Sequence, residues 1–166
     1  MANVTFKENP VTLLGNELSA GDQAPDFTVL TNDLQEAKLS DYEGKVKLIS
    51  VVPSIDTGVC SEQTQRFNKE AENIGNVQVL TISMDLPFAQ KRWREVNKVQ
   101  ELEMLSDHRD ADFGEKYGVL IKEMRLLSRS IFVVDSQNKI TYTEYVSENT
   151  NHPDYDRALQ EAKKAK

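Results

Sequence analysis

The chain has 166 residues, enough to bury a self-sufficient core, and residues 1–166 are expected to form a single domain. A net charge of −7 at pH 7 argues against nucleic acid or an anionic membrane as a partner, since both require a basic surface. No stretch approaches the ~20 apolar residues of a membrane span, and the N-terminus Met1-Ala2-Asn3-Val4-Thr5-Phe6-Lys7-Glu8 lacks the basic-then-apolar layout of a secretory signal, so a cytoplasmic setting is expected.

Short alternating segments over 3–7 and 10–14, around Glu8-Asn9, predict an N-terminal β-hairpin. A turn over 21–26 leads into a strand over 27–30. The apolar, β-branched run 45–52 predicts a buried strand ended by Pro53. A helix follows, with Thr57 as its cap, Phe67, Ala71 and Ile74 as its apolar stripe and Gly75 closing it. Residues 77–84 predict another strand, and Pro87 opens a helix through Phe88, Ala89, Trp93 and Val96. A short strand over 104–106, a short helix over 112–117 and a strand over 129–135 come next. The turn 136–138 and the strand 139–146 complete a terminal hairpin, and a last helix runs from about Pro153 to the basic end at Lys166, where lysines suit the helix dipole. Strand and helix alternate as in an α/β domain. A central mixed sheet flanked by helices, with an N-terminal β-hairpin, is the layout of a thioredoxin-like fold.

The one cysteine, Cys60, falls in the turn between the 45–52 strand and the following helix. In a first helical turn a thiol faces unpaired N–H groups and the positive end of the dipole, and both favour thiolate over thiol. A lone cysteine is otherwise a small buried hydrophobe, Thr57 an ordinary cap and Pro53 an ordinary strand stop. Position 57 is threonine, so there is no Cys-x-x-Cys pair, and a single cysteine excludes an internal disulfide. His108 and His152 show no metal-ligand spacing with Cys60, and no cofactor or metal is expected. Redox chemistry must therefore involve a second molecule. Cleaving a peroxide with a thiol requires a thiolate, an open in-line path and donors for the charge that grows on the leaving oxygen. Thr57, one turn before Cys60, and a nearby arginine meet those needs. From the residues alone Arg129 could equally be an exposed strand-start charge.

The run Pro53-Ser54-Ile55-Asp56-Thr57-Gly58-Val59-Cys60 closely resembles the peroxidatic loop of peroxiredoxins, specifically of their bacterial thiol peroxidase subfamily. Residues 21–27, 85–93, 105–109 and 125–133 are similar to the same subfamily, so the resemblance spans nearly the whole chain. It implies that Cys60 is the peroxidatic cysteine, that Thr57 and Pro53 are its loop partners, and that Arg129, rather than Arg125, holds the thiolate and polarises the peroxide. It also implies a homodimer, and Ile55, Val59 and Phe88 read either as an apolar rim at that contact or as part of the chain's own core.

One departure stands out. The subfamily usually carries a resolving cysteine directly after the equivalents of Arg92 and Trp93, and here that position is Arg94. The stretch through Gln100 also lacks the usual small, glycine-bearing residues. Arg94 itself reads as the solvated face of a helix. The expectation is a peroxidase of one-cysteine type, acting in antioxidant defence on hydrogen peroxide and organic hydroperoxides and resolved by an external thiol such as thioredoxin, glutaredoxin or a low-molecular-weight thiol. The alternative is a redox sensor that passes oxidation from Cys60 to a partner protein.

Overall fold

The computed structural model describes residues 3–71, 73–99 and 103–166. Met1, Ala2 and Gln100 lie outside the described residues, as does the side chain of Ala71. In chain order the strands and helices are β1 (Val4–Phe6), β2 (Asn9–Val11), β3 (Leu13–Leu14), β4 (Thr28–Leu30), β5 (Glu36–Lys38), a 3₁₀ turn (Leu39–Tyr42), β6 (Val46–Val51), α1 (Gly58–Ala71), β7 (Val77–Ser83), α2 (Pro87–Asn97), β8 (Glu103–Ser106), α3 (Asp112–Lys116), β9 (Leu120–Ile121), β10 (Leu126–Leu127), β11 (Ser130–Val134), β12 (Ile140–Tyr145) and α4 (Tyr155–Lys164). Seven strands make the main sheet, in the order β12-β11-β6-β7-β8-β4-β5. β6, β7 and β8 run parallel, whereas β11, β12, β4 and β5 join antiparallel. This mixed sheet, with helices packed against it, is the expected thioredoxin-like α/β architecture.

Every residue of β6 is buried, which explains its near-continuous apolar character at the centre of the sheet. Side chains alternate between two cores. Val46 and Leu48 point into a layer with Phe67, Trp93, Tyr155 and Leu159 from α1, α2 and α4. Ile49 and Val51 point the other way, toward Phe27, Phe113, Tyr117 and Phe132. Ser50 lies on the helix side of β6, where a polar partner on α1 can reach it. The carboxyl ends of β6 and β7 thus face the start of α1, the usual location of a site in an open α/β sheet.

Several expectations shift in detail. The hairpin turns at Lys7 and Glu8, both at positive φ (50° and 69°), rather than at Glu8-Asn9, and pairs Phe6 with Asn9 across a two-residue loop. Its second arm stops at Val11, because Leu13 and Leu14 leave to pair with β9 in a separate three-stranded sheet. Helix α1 ends at Ala71, so Ile74 lies beyond it, and the left-handed position belongs to Asn76 (φ 65°) rather than Gly75. In α2 the buried face is Pro87, Gln90 and Trp93, while Phe88 and Val96 are 66% and 73% exposed. Helix α4 starts at Tyr155, with Asp154 accepting the Arg157 N–H as its cap.

Candidate active site

β6 ends at Val51, and the chain runs through the buried Val52 and Pro53 before turning outward over 54–57. Asp85, just past the end of β7, holds this loop. Its Oδ2 accepts the Ile55 N–H at 2.7 Å and the Ser83 hydroxyl at 2.7 Å, and its Oδ1 accepts the Ser54 hydroxyl at 2.9 Å. Ile55 is buried in the helix-side core, so a carboxylate and an apolar side chain pin the loop together. That burial removes Ile55 from the expected apolar rim. Val59 is half-buried and Phe88 exposed.

Thr57 caps α1 as its sequence position suggests. Its Oγ1 accepts the Cys60 N–H at 3.3 Å, and its own hydroxyl donates to the Ser54 carbonyl in a long 3.4 Å bond rather than to sulfur. Cys60 is completely buried, and its carbonyl accepts the Thr64 hydroxyl at 2.8 Å. Gly58 and Val59, the first residues of α1, present N–H groups with no helical carbonyl one turn back to serve.

Arg129 arrives from the neighbouring strand. The antiparallel register sets Ser130 opposite Val51, so the residue just before β11 stands beside the point where β6 gives way to the loop. Arg129 is 2% exposed, and each nitrogen of its guanidinium donates a hydrogen bond. Nη2 donates to Cys60 Sγ at 3.1 Å, Nη1 to Gln63 Oε1 at 2.9 Å and Nε to the Asn149 carbonyl at 3.0 Å. Gln63 in turn donates to Ser50 Oγ at 2.7 Å. Behind α1, burial raises the pKa of the Tyr155 hydroxyl, which lies 2.8 Å from His152 Nδ1. Arg66 sits 4.3 Å above the Tyr155 ring.

A cavity of about 340 Å³ opens over this constellation, lined by Phe6, Pro53, Thr57, Val59, Arg129 and Asn149. The structure thus brings Pro53, Thr57 and Arg129 to one cavity and bonds Arg129 to Cys60. Arg125 is exposed, at a left-handed position (φ 53°) between β9 and β10. Arg94 is half-buried rather than solvated. Its Nη1 donates to Asn32 Oδ1 at 3.3 Å, while the adjacent Trp93 donates to Ser61 Oγ at 3.2 Å. Among the described residues no cluster of His, Cys, Asp or Glu could hold a metal ion, and no helix is long and apolar enough to cross a membrane.

Sequence reasoning missed three residues. Gln63 carried a weak signal, a polar side chain one turn after Cys60 on the same helix face. Asp85 carried another, a carboxylate at the carboxyl end of a parallel strand. Asn149, in a turn 89 positions from Cys60, carried none.

Comparison with known proteins gives one consistent picture. A model of the Redoxin family matches residues 19–159. The thiol peroxidase of Oceanobacillus iheyensis is 68% identical over 164 residues, covering 99% of this chain and 100% of that protein. The thiol peroxidase of Bacillus subtilis is 61% identical over 163 residues, with 98% of each chain covered. A crystal structure of a peroxiredoxin-like protein from Aquifex aeolicus superposes with a TM-score of 0.92 at 42% identity, covering 98% of this chain and 96% of that one.

Proposed function

Because the chain belongs to the Redoxin family, as a bacterial thiol peroxidase among the peroxiredoxins, we propose that Cys60 is its peroxidatic sulfur and that Pro53, Thr57 and Arg129 form the site where a hydroperoxide is cut. The observation that carries this reading is the 3.1 Å bond from Arg129 Nη2 to Cys60 Sγ inside a buried site. None of the ion pairs among the described residues involves Arg129, and its buried guanidinium is turned instead to the Cys60 sulfur.

In this reading the Cys60 thiolate attacks one peroxide oxygen in line with the O–O bond. The S–O bond forms as the O–O bond breaks, sulfur is oxidised to sulfenic acid, and the other oxygen leaves with the bonding pair and takes a proton as water or an alcohol. Arg129 and the first N–H groups of α1 stabilise the leaving oxygen. The Thr57 hydroxyl, whose oxygen keeps the Cys60 N–H while its proton makes only a long bond to the Ser54 carbonyl, turns that proton to the incoming peroxide. Phe6, Pro53 and Val59 give the cavity an apolar wall, which favours organic hydroperoxides beside hydrogen peroxide. With arginine at position 94, an external thiol condenses with the sulfenic acid, releasing water, and a second thiol exchanges the mixed disulfide back to free Cys60. Thioredoxin, glutaredoxin and a low-molecular-weight thiol all fit that role. The reading takes residues 1–166 as one domain working in the cytoplasm in antioxidant defence. It also takes the protein as a homodimer, supported by the exposed Leu86 and Phe88 beside the Asp85-held loop.

The test is a timed reaction of reduced protein with one equivalent of cumene hydroperoxide, quenched with a sulfenic-acid trap and read by intact mass. Complete trapping at Cys60, orders of magnitude faster than for an exposed thiol, is expected. A rate no better than that of an exposed thiol overturns the reading. Repeated turnover with an added reductant then separates a peroxidase from a protein that is oxidised once and hands the oxidation on.

A further inference from the structure

We propose that Asn149 is a positioning residue of this site, through which the N-terminal hairpin sets how firmly Arg129 is held against Cys60. The proposal rests on the peroxidase reading above. Asn149 is 1% exposed and holds Arg129 twice, by backbone and by side chain. Its Oδ1 accepts the Arg129 N–H at 2.7 Å, and its carbonyl accepts Arg129 Nε at 3.0 Å. The donors of Asn149 point elsewhere. Its backbone N–H reaches the Thr5 carbonyl at 2.9 Å, and its Nδ2 reaches the same carbonyl at 3.2 Å and Ser128 Oγ at 3.2 Å. One buried amide therefore ties Arg129 to β1.

The turn around Asn149 belongs to no helix or sheet ladder, and β1 supplies its support. Thr5 donates its N–H to the Ser147 carbonyl at 2.8 Å, and Glu148 gathers the Thr5 hydroxyl at 2.8 Å and the Glu8 N–H at 2.7 Å. The same carboxyl accepts the Thr150 hydroxyl, which with these bonds holds its pKa down to about 2, so the clamp is charged at any physiological pH. The next hairpin residues, Phe6 and Lys7, line the cavity. Loosening this tie frees the guanidinium to drift from the sulfur, and a displacement of about 1 Å costs on the order of 100-fold in such sites.

The experiment compares wild type with Asn149→Ala and Glu148→Ala, using Cys60→Ser as the blank. Three quantities are read: the pH midpoint of thiolate absorbance at 240 nm, the pH profile of the peroxide rate followed by Trp93 fluorescence, and the Tm. The Asn149→Ala protein is expected to lose about 10- to 100-fold in rate near neutral pH. Its midpoint should move up by about one unit, and it should recover part of the rate at higher pH. Glu148→Ala touches neither Arg129 nor Cys60, and it is expected to move midpoint and profile in the same direction by less. The other titratable groups around the sulfur are unchanged in every variant and cancel in the comparison. They are Lys7 on the hairpin, Glu62 and Arg66 on α1, His152 just before α4 and Tyr155 at its start, and Asp56 and Asp85 at the loop. A merely structural role lowers Tm and leaves midpoint and profile alone. A folded Asn149→Ala with wild-type midpoint and profile overturns the proposal. If that variant does not fold, a Glu148→Ala protein with both unchanged does the same. Slow oxidation of wild type counts against the peroxidase reading instead, and the thiolate titration still decides the coupling.

Discussion

Arg129 has three acceptors in three directions, and only a planar fork of donors reaches all of them at once: Asn149 O, Gln63 Oε1 and Cys60 Sγ. Lysine keeps the charge but presents it as a point on a flexible stem. Arg129→Lys is therefore expected to lower the rate of Cys60 oxidation by 100-fold or more, on the scale of losing one well-placed donor to developing charge. It should also cost about 1–3 kcal/mol in urea unfolding, because buried acceptors are left unpaired. Stopped-flow oxidation within about threefold of wild type would show that charge alone suffices. The chain order made part of this site legible, since Pro53, Thr57 and Cys60 lie within one loop and one helical turn. Arg129 came from resemblance, because nothing local separates it from Arg125. Asn149 stayed hidden, and Gln63 was only faintly marked, for a physical reason. An uncharged amide has no pattern of its own, and its role here arises only once the antiparallel pairing of β6 with β11 sets Arg129 beside α1.

Helix α2 shows where pattern reading fails at the scale of an element. Phe88, Ala89, Trp93 and Val96 marked out the helix, but its buried face carries, beside Pro87 and Trp93, the polar Gln90, whose amide donates to Ser83 Oγ at 3.0 Å and to the Leu105 carbonyl at 2.9 Å. The ends of β7 and β8 offer polar acceptors, and a satisfied amide fits them where an apolar side chain would strand them. The long strands β6, β7 and β11 were readable because burial gives them largely apolar runs, and the partly buried edge strand β12 because it is rich in β-branched and aromatic residues after a clear turn. β5, β9 and β10 were not, since two or three residues are too few to show a period. β7 also holds an unmatched group. Thr81 Oγ1 is buried without a hydrogen-bond partner among the described residues. Thr81→Val removes that hydroxyl at nearly constant shape, and is expected to stabilise the protein by about 1 kcal/mol. In a chain of this size that raises Tm by about 2–4 °C in calorimetry. A lower Tm would mean that the hydroxyl is satisfied.

Across the whole molecule, stability should carry a pH signature from Asp107, which lies after β8 and is 2% exposed. Burial pushes its carboxyl up from the usual 3.8 to about 7, against the opposing N–H bonds from Gly114 and Phe113. The folded state thus holds this proton more tightly than the unfolded chain. Its contribution is full below about pH 4 and is lost as pH rises toward about 7. Asp107→Asn is expected to flatten the fall of the urea midpoint over that interval, by an amount on the order of a few kcal/mol, since one pKa unit is worth about 1.4 kcal/mol. Parallel wild-type and variant curves would assign the fall to other groups. The complete burial of Cys60 reaches furthest. With α1 wound from Gly58 the sulfur offers no surface to the body of a thiol, so reduction by an external thiol, as proposed above, would require the first turn of α1 to open. The two half-reactions then place opposite demands on one helical turn. On that reading, the time the molecule stays oxidised would follow the opening of that turn rather than the reactivity of its sulfur.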